Sequence, residues 1–168
     1  MSYVAVALAR TTDGWTAREV DLDHAEDVDE VADILRDVDP DADVTLLVVE
    51  EDDEYLAIAR VDAGNDEPRV FVSDASAADS HRIAELFTDA AEASARREQS
   101  DFEDDLADDA PVRESEPVGD GDLLADLGTR QRDLLALCAH EGMLPADVLS
   151  EVCDRAGCLD ELEALRVP

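Results

Sequence analysis

The chain has 168 residues, with 46 Asp or Glu against 13 basic residues, and its formal net charge is −33 at a sequence pI near 4.1. Apolar residues still make up 45% of it, which supports a real core and excludes a wholly disordered chain. Because so negative a surface repels phosphate and anionic lipid, the composition argues against direct binding to nucleic acid or to a membrane.

The first elements form a hairpin followed by a helix. Residues 3–9 are a nearly continuous apolar run, Asp13-Gly14 is a turn signal, and residues 15–20 are again extended. Apolar residues at helical spacing over 28–38 then predict an amphipathic helix, with Asp23 as its N-cap and a stop at the following Asp-Pro pair.

Three strands and a second helix follow. Residues 44–49 are an unbroken apolar and β-branched run, typical of a central strand covered on both faces. Two further strands are predicted over 55–61 and 69–73, and a helix from near Ser80 to near Arg97. The element order ββαβββα predicts an α+β fold with a five-stranded, mainly antiparallel sheet, and it resembles the order of longin and roadblock domains, which are docking platforms.

Charge and glycine divide the rest of the chain. Residues 98–122 hold 11 acids and one arginine without a sustained apolar period, as in an extended linker. Within it, Phe102 and Leu106 are four residues apart and are candidate contacts for a partner. We therefore predict an α+β domain over 1–97, an acidic flexible linker over 98–122 and a small helical subdomain over 123–168.

The predicted subdomain contains short helices punctuated by glycine. Because it has too few apolar residues for a core of its own, we expect it to pack on the first domain or on a partner. It also holds all the cysteines, an odd number that favours a reduced, cytoplasmic protein. No cationic leader precedes the first apolar run.

The residue types of a metal site occur once, as Cys138, His140, Cys153 and Cys158. Their spacings, C-x-H and C-x4-C, match tetrahedral zinc poorly, and the thiols fall on apolar stripes where buried cysteines normally lie. We expect no metal, no other cofactor and no catalytic residue, although a zinc-dependent enzyme built on these cysteines is kept as a minor alternative.

Candidate contacts for a protein partner lie in and near an acidic turn. Five consecutive acids separate two predicted strands, and an aromatic residue begins the strand on the far side of this turn. Another aromatic residue begins a strand after the first tight turn, and aromatic residues are favoured at interfaces. The candidates are Trp15, Glu50, Glu51, Asp52, Asp53, Glu54 and Tyr55.

Seven segments stand out along the chain. They are M-S-Y-V-A-V-A-L-A-R, G-W-T-A-R-E-V-D-L-D, V-V-E-E-D-D-E-Y, E-P-R-V-F-V-S-D-A, D-G-D-L-L-A-D-L-G, L-L-A-L-C and L-P-A-D-V-L. Together they resemble a known family, the tRNA adenosine deaminase-associated proteins of actinobacteria, over nearly the whole chain. That resemblance implies association with the enzyme that converts adenosine to inosine in tRNA anticodons, and it brings no catalytic residues with it. A zinc deaminase needs H-x-E and P-C-x-x-C signatures, whereas the sequence offers Cys138-Ala139-His140-Glu141 and no P-C-x-x-C.

Two hypotheses of binding function remain. The first is a non-catalytic accessory protein that binds and modulates a protein partner, with the tRNA adenosine deaminase as its candidate. The second is a nucleic-acid mimic, an inhibitor or antitoxin-like protein that would bind many basic proteins. They differ in how many unrelated tRNA-binding enzymes the chain should bind.

Overall fold

The computed structural model describes residues 3–51, 53–64, 67–99, 116–140 and 142–166, and for residues 94–99 and 166 it describes the backbone alone. These residues form six strands, five α-helices and two short 3₁₀ helices. In chain order the strands and α-helices are β1 (Tyr3–Thr11), β2 (Gly14–Glu19), α1 (Val28–Val38), β3 (Val44–Glu51), β4 (Tyr55–Asp62), β5 (Arg69–Val72), α2 (Arg82–Gln99), β6 (Val118–Gly119), α3 (Gln131–Ala139), α4 (Pro145–Ala156) and α5 (Leu159–Arg166).

The strands form one sheet in the order β2-β1-β3-β4-β5-β6, with every neighbouring pair antiparallel. This confirms the α+β class and all five strands that the sequence predicted. The predicted strand count is wrong, because β6 adds a sixth strand from residues 118–119, inside the segment assigned to a linker. Its two residues pair with Phe71 and Val72 of β5, and so short a strand carries no apolar period by which the sequence could reveal it.

The residues that flank β6 are also fixed to β5. The backbone N–H of Asp120 donates to the carbonyl oxygen of Val70 at 2.8 Å, and the guanidinium of Arg69 lies 2.6 Å from the Asp120 carboxylate. Gly119 has φ +110°, and a Cβ there would collide with the backbone of β5, so only glycine fits. The C-terminal end of the predicted linker is therefore part of the sheet.

One face of the sheet packs against α1 and α2. Odd-numbered residues of β3, such as Leu47 and Val49, share a buried cluster with Leu35 of α1 and Phe87 of α2. The start of α1 corrects the predicted N-cap. The cap is Asp27, whose side chain accepts a hydrogen bond from the Glu30 backbone N–H, so the helix begins four residues later than Asp23 implied.

The opposite face packs against the C-terminal helices. Even-numbered strand residues, such as Leu46 and Ile58, share a second buried cluster with Leu134 of α3, Val152 of α4 and Leu162 of α5. Burying one such side chain stabilises a fold by about 1.5–3 kcal/mol, so covering this face is a large contribution. The helical tail thus leans on the first domain, one of the two outcomes expected of it, and β3 is covered on both faces as predicted.

A buried arginine joins the sheet to the start of the tail. Arg60 of β4, 5% exposed, makes a bidentate pair with Asp126, at 2.6 and 2.9 Å, and donates to the carbonyl oxygen of Leu123 at 2.6 Å. Its Nε also lies 2.7 Å from the Asp62 carboxylate. The bidentate hydrogen bonds from Arg60 hold the pKa of Asp126 below its usual range. Together with the bond to Leu123 they fix the turn before α3 to the sheet.

We predict that Asp126→Asn lowers the free energy of unfolding at neutral pH by about 1–2 kcal/mol, because the half-exposed ion pair with Arg60 becomes a neutral contact. Since the folded-state pKa of Asp126 is depressed, its contribution is present above its unfolded pKa and is lost as the pH falls through the folded value. Urea denaturation should therefore show the gap between wild type and variant closing in acid. A gap independent of pH would contradict this.

Candidate functional site

In the acidic turn between β3 and β4, the described residues Glu51, Asp53 and Glu54 adopt a backbone conformation that their residue types allow. Glu51 and Tyr55 are paired across the hairpin, and the Glu54 backbone N–H donates to the Glu51 carbonyl oxygen at 3.0 Å. Asp53 has φ +59°, the left-handed conformation that aspartate tolerates better than most residues. The turn thus presents Asp53 and Glu54 to solvent while Glu51 points inward.

A buried polar cluster fixes this turn to the start of α2. The Tyr55 hydroxyl donates to the Glu51 carboxylate at 2.8 Å, and Glu51 is only 6% exposed. His81 lies between two carboxylates, with Nδ1 3.5 Å from Glu51 and Nε2 2.5 Å from Glu54. The sequence analysis missed His81, because its position one residue before α2 looked like an ordinary cap region and only the fold brings it beneath the turn.

The structure sorts the predicted contact residues into surface and core. Tyr55 is 0% exposed, so its side chain lies in the core and not at the surface that a predicted partner contact requires. Trp15 is half-buried against the tail cluster, and the Arg10 guanidinium lies 5.8 Å from the centre of its ring, so it closes the edge of the core. Glu50 is half-buried within β3. The predictions for Asp52, Phe102 and Leu106 lie outside the described residues.

A groove of about 280 Å³ runs between the acidic turn and the start of α4. Its apolar floor includes Leu56, Met143 and Val148, and its rim includes the acidic residues Asp53, Glu54 and Asp74. The floor comes from both the sheet and the helical tail, so the groove exists only because the tail packs on that face. An apolar floor with an acidic rim suits a ligand that is apolar at one point and cationic beside it.

The comparison with family models settles the chain's relationships. A model described as Rv3753c-like tRNA adenosine deaminase-associated protein matches residues 3–159. The chain belongs to this family. A search of curated proteins and a search of solved structures each found no match. The likeness of element order to longin and roadblock domains therefore stays a prediction, whereas the suspected deaminase-associated family is confirmed.

The three cysteines of this family member are free thiols, with Cys153 and Cys158 buried and Cys138 half-buried. Burial raises the pKa of Cys138 to about 11. A hydrogen bond with Cys153, together with burial, raises the pKa of Cys158 well above its usual value. A thiol must lose its proton to bind zinc or attack a substrate, and the described residues contain no group of three or more His, Cys, Asp or Glu side chains that could hold a metal ion.

One deaminase-like motif escaped the sequence analysis. His24-Ala25-Glu26 has the H-x-E pattern and lies in the loop before α1. His24 and Glu26 are exposed, whereas Ala25 belongs to the buried cluster that α1 and α2 form on one face of the sheet. Cys153 and Cys158 belong to the cluster on the opposite face of the sheet. In this deaminase-associated protein the H-x-E motif and the cysteine pair therefore lie on opposite faces of the sheet, and the P-C-x-x-C half of a zinc-deaminase signature is absent from the sequence. In the part of the chain that the structure describes, no helix has the length and apolar character to cross a membrane.

We predict that Tyr55→Phe lowers the free energy of unfolding by about 1.5–3 kcal/mol, because the buried Glu51 carboxylate loses a hydrogen bond while the packing of the ring is kept. Urea denaturation measures the change. In a Glu51→Gln background the same substitution should cost less, since the bond removed there no longer involves a charge. A Tyr55→Phe variant as stable as wild type would show that the bond contributes nothing.

Proposed function

We propose that this chain is a non-catalytic accessory protein that binds a tRNA adenosine deaminase in the cytoplasm and modulates it. The observation that carries the proposal is the family match over residues 3–159, whose description names association with that enzyme. The family description calls its members deaminase-associated and does not call them deaminases. The H-x-E motif without a P-C-x-x-C partner, and the raised thiol pKa values of Cys138 and Cys158, support a role without catalysis.

Charge supports the choice of partner. An enzyme that binds tRNA needs a cationic surface, since neutralising phosphates supplies most of the affinity for nucleic acid. The net charge of −33 gives this chain an attractive field for such a surface. Modulation would then follow from competition, because the accessory protein and the tRNA would occupy overlapping parts of the cationic surface.

We predict a salt-sensitive complex between the full chain and the tRNA adenosine deaminase of the same organism. The affinity, measured by titration calorimetry, should fall at least about tenfold between about 0.05 M and about 0.5 M salt, because screening weakens attraction between exposed charges. Addition of the chain should change the rate of inosine formation in tRNA. No complex at low salt, or equal affinity at both salt concentrations, would contradict the proposal.

The nucleic-acid mimic is the second candidate, and the same net charge of −33 favours it. Its distinguishing property is breadth of binding. The titration should be repeated with several unrelated tRNA-binding enzymes under the same low-salt conditions. Selective binding of the deaminase supports the accessory protein, whereas comparable affinity for all of them supports the mimic.

A further inference from the structure

We propose that the groove between the acidic turn and α4 is the docking site for a segment of a protein partner in which a leucine-sized apolar side chain is flanked by arginine or lysine. The proposal deepens the proposed function by naming the part of this chain that engages a cationic partner. It rests on that function for the identity of the partner, but the chemistry of the segment follows from the groove itself.

Leu144 is the first argument for an apolar contact. It is 49% exposed, and it stands between Met143 and Pro145, which both line the groove. It also occupies the N-cap of α4, where Ser, Asp, Asn or Thr would satisfy an unpaired helix N–H. Asp147 reaches back to the Leu144 backbone N–H at 3.1 Å, so half of a capping arrangement is present. A leucine at this N-cap gives α4 less stability than a capping residue would. A choice of residue that lowers stability is expected where the side chain binds another molecule.

The size and shape of the groove are the second argument. Its volume of about 280 Å³ lies at or below the lower end of the range for small-ligand sites. Buried or half-buried apolar residues line its base, and exposed or half-buried acidic residues lie at its rim. Such a site takes one or two side chains of an extended or helical segment, with the apolar group on Leu56, Met143 and Val148.

Charge decides which segment enters. Asp53, Glu54 and Asp74 line the groove from the two turns that flank β4 and β5. The Glu54 carboxylate also lies against His81, and that of Asp74 accepts a hydrogen bond from Ser76. Asp53 and the net charge of −33 therefore supply most of the attraction for a cationic residue beside the apolar group. The acidic stretch 100–115 of the same chain would be repelled, and so would a second copy of a chain with net charge −33. The occupant is therefore a basic segment of another protein.

Met143 provides a direct probe of the groove. The chain has only two methionines, and the other is Met1, so a spectrum of methyl-labelled methionine contains a reporter that lines the site. The full chain should be titrated with a short amidated peptide of alternating leucine and arginine, and separately with the same peptide in which glutamate replaces arginine. We expect the basic peptide to shift the Met143 methyl signal, and the acidic peptide to leave it unchanged.

Two variants and two matched controls test the assignment. Leu144→Ser should weaken binding of the basic peptide about tenfold, and Asp53→Asn, which keeps a residue suited to φ +59°, about threefold. Val4→Thr alters the other large apolar side chain described as exposed. Asp13→Asn removes the same charge from the β1–β2 turn, at the opposite end of the sheet. Both controls should bind within about twofold of wild type.

Stability separates a lost contact from a damaged fold. Leu144→Ser places a favoured capping residue at the start of α4, so its urea midpoint should rise while its affinity falls. No Met143 shift, an equal shift with both peptides, or groove variants that bind like their controls would overturn the proposal. Those outcomes leave a salt-sensitive complex with the deaminase intact. Failure of that complex, with the peptide results as expected, would overturn the proposed function alone.

Discussion

The sheet has two apolar faces, and each must pack against helices to be removed from water; this requirement decides how the other elements of the molecule pack. Helices α1 and α2 cover one face, and the C-terminal helices cover the other. Arg60 reinforces the second contact, because its guanidinium is nearly buried and its partners come from β4 and from the turns that precede α3. The groove inherits this dependence, since its floor contains Leu56 from the sheet and Val148 from the tail.

The distribution of charge follows from where the arginines are placed. Arg60 pairs within the core, Arg69 holds Asp120 beside β6, and Arg82 donates to backbone carbonyls of the loop before α1. These cations are engaged in holding segments together, and many acids, including Asp53 and Glu54, face solvent. A folded surface of this kind attracts cationic macromolecules over the range of a Debye length, and the apolar floor of the groove adds a short-range contact that charge alone cannot supply.

Prediction from sequence succeeded where the pattern of the chain is local. The five longer strands and helix α1 carry local apolar patterns, and helix α4 ends at its C-cap Gly157, as expected of a tail of short helices punctuated by glycine. The failures involve pairing between distant segments. β6 is defined only by its bonds to β5, and Tyr55 is buried because Glu51 and His81 offer its hydroxyl and ring a polar pocket within the core.

The amino-acid sequence alone determined the fold class, the strongly negative charge and the family, because these depend on composition, on local period and on a run of recognisable segments. The tertiary structure decided that the tail covers the second face of the sheet, that His81 lies under the acidic turn, and that Leu144 stands exposed beside an acid-rimmed groove. Each of these depends on residues far apart in the chain coming together, and no local pattern records which distant residues will meet.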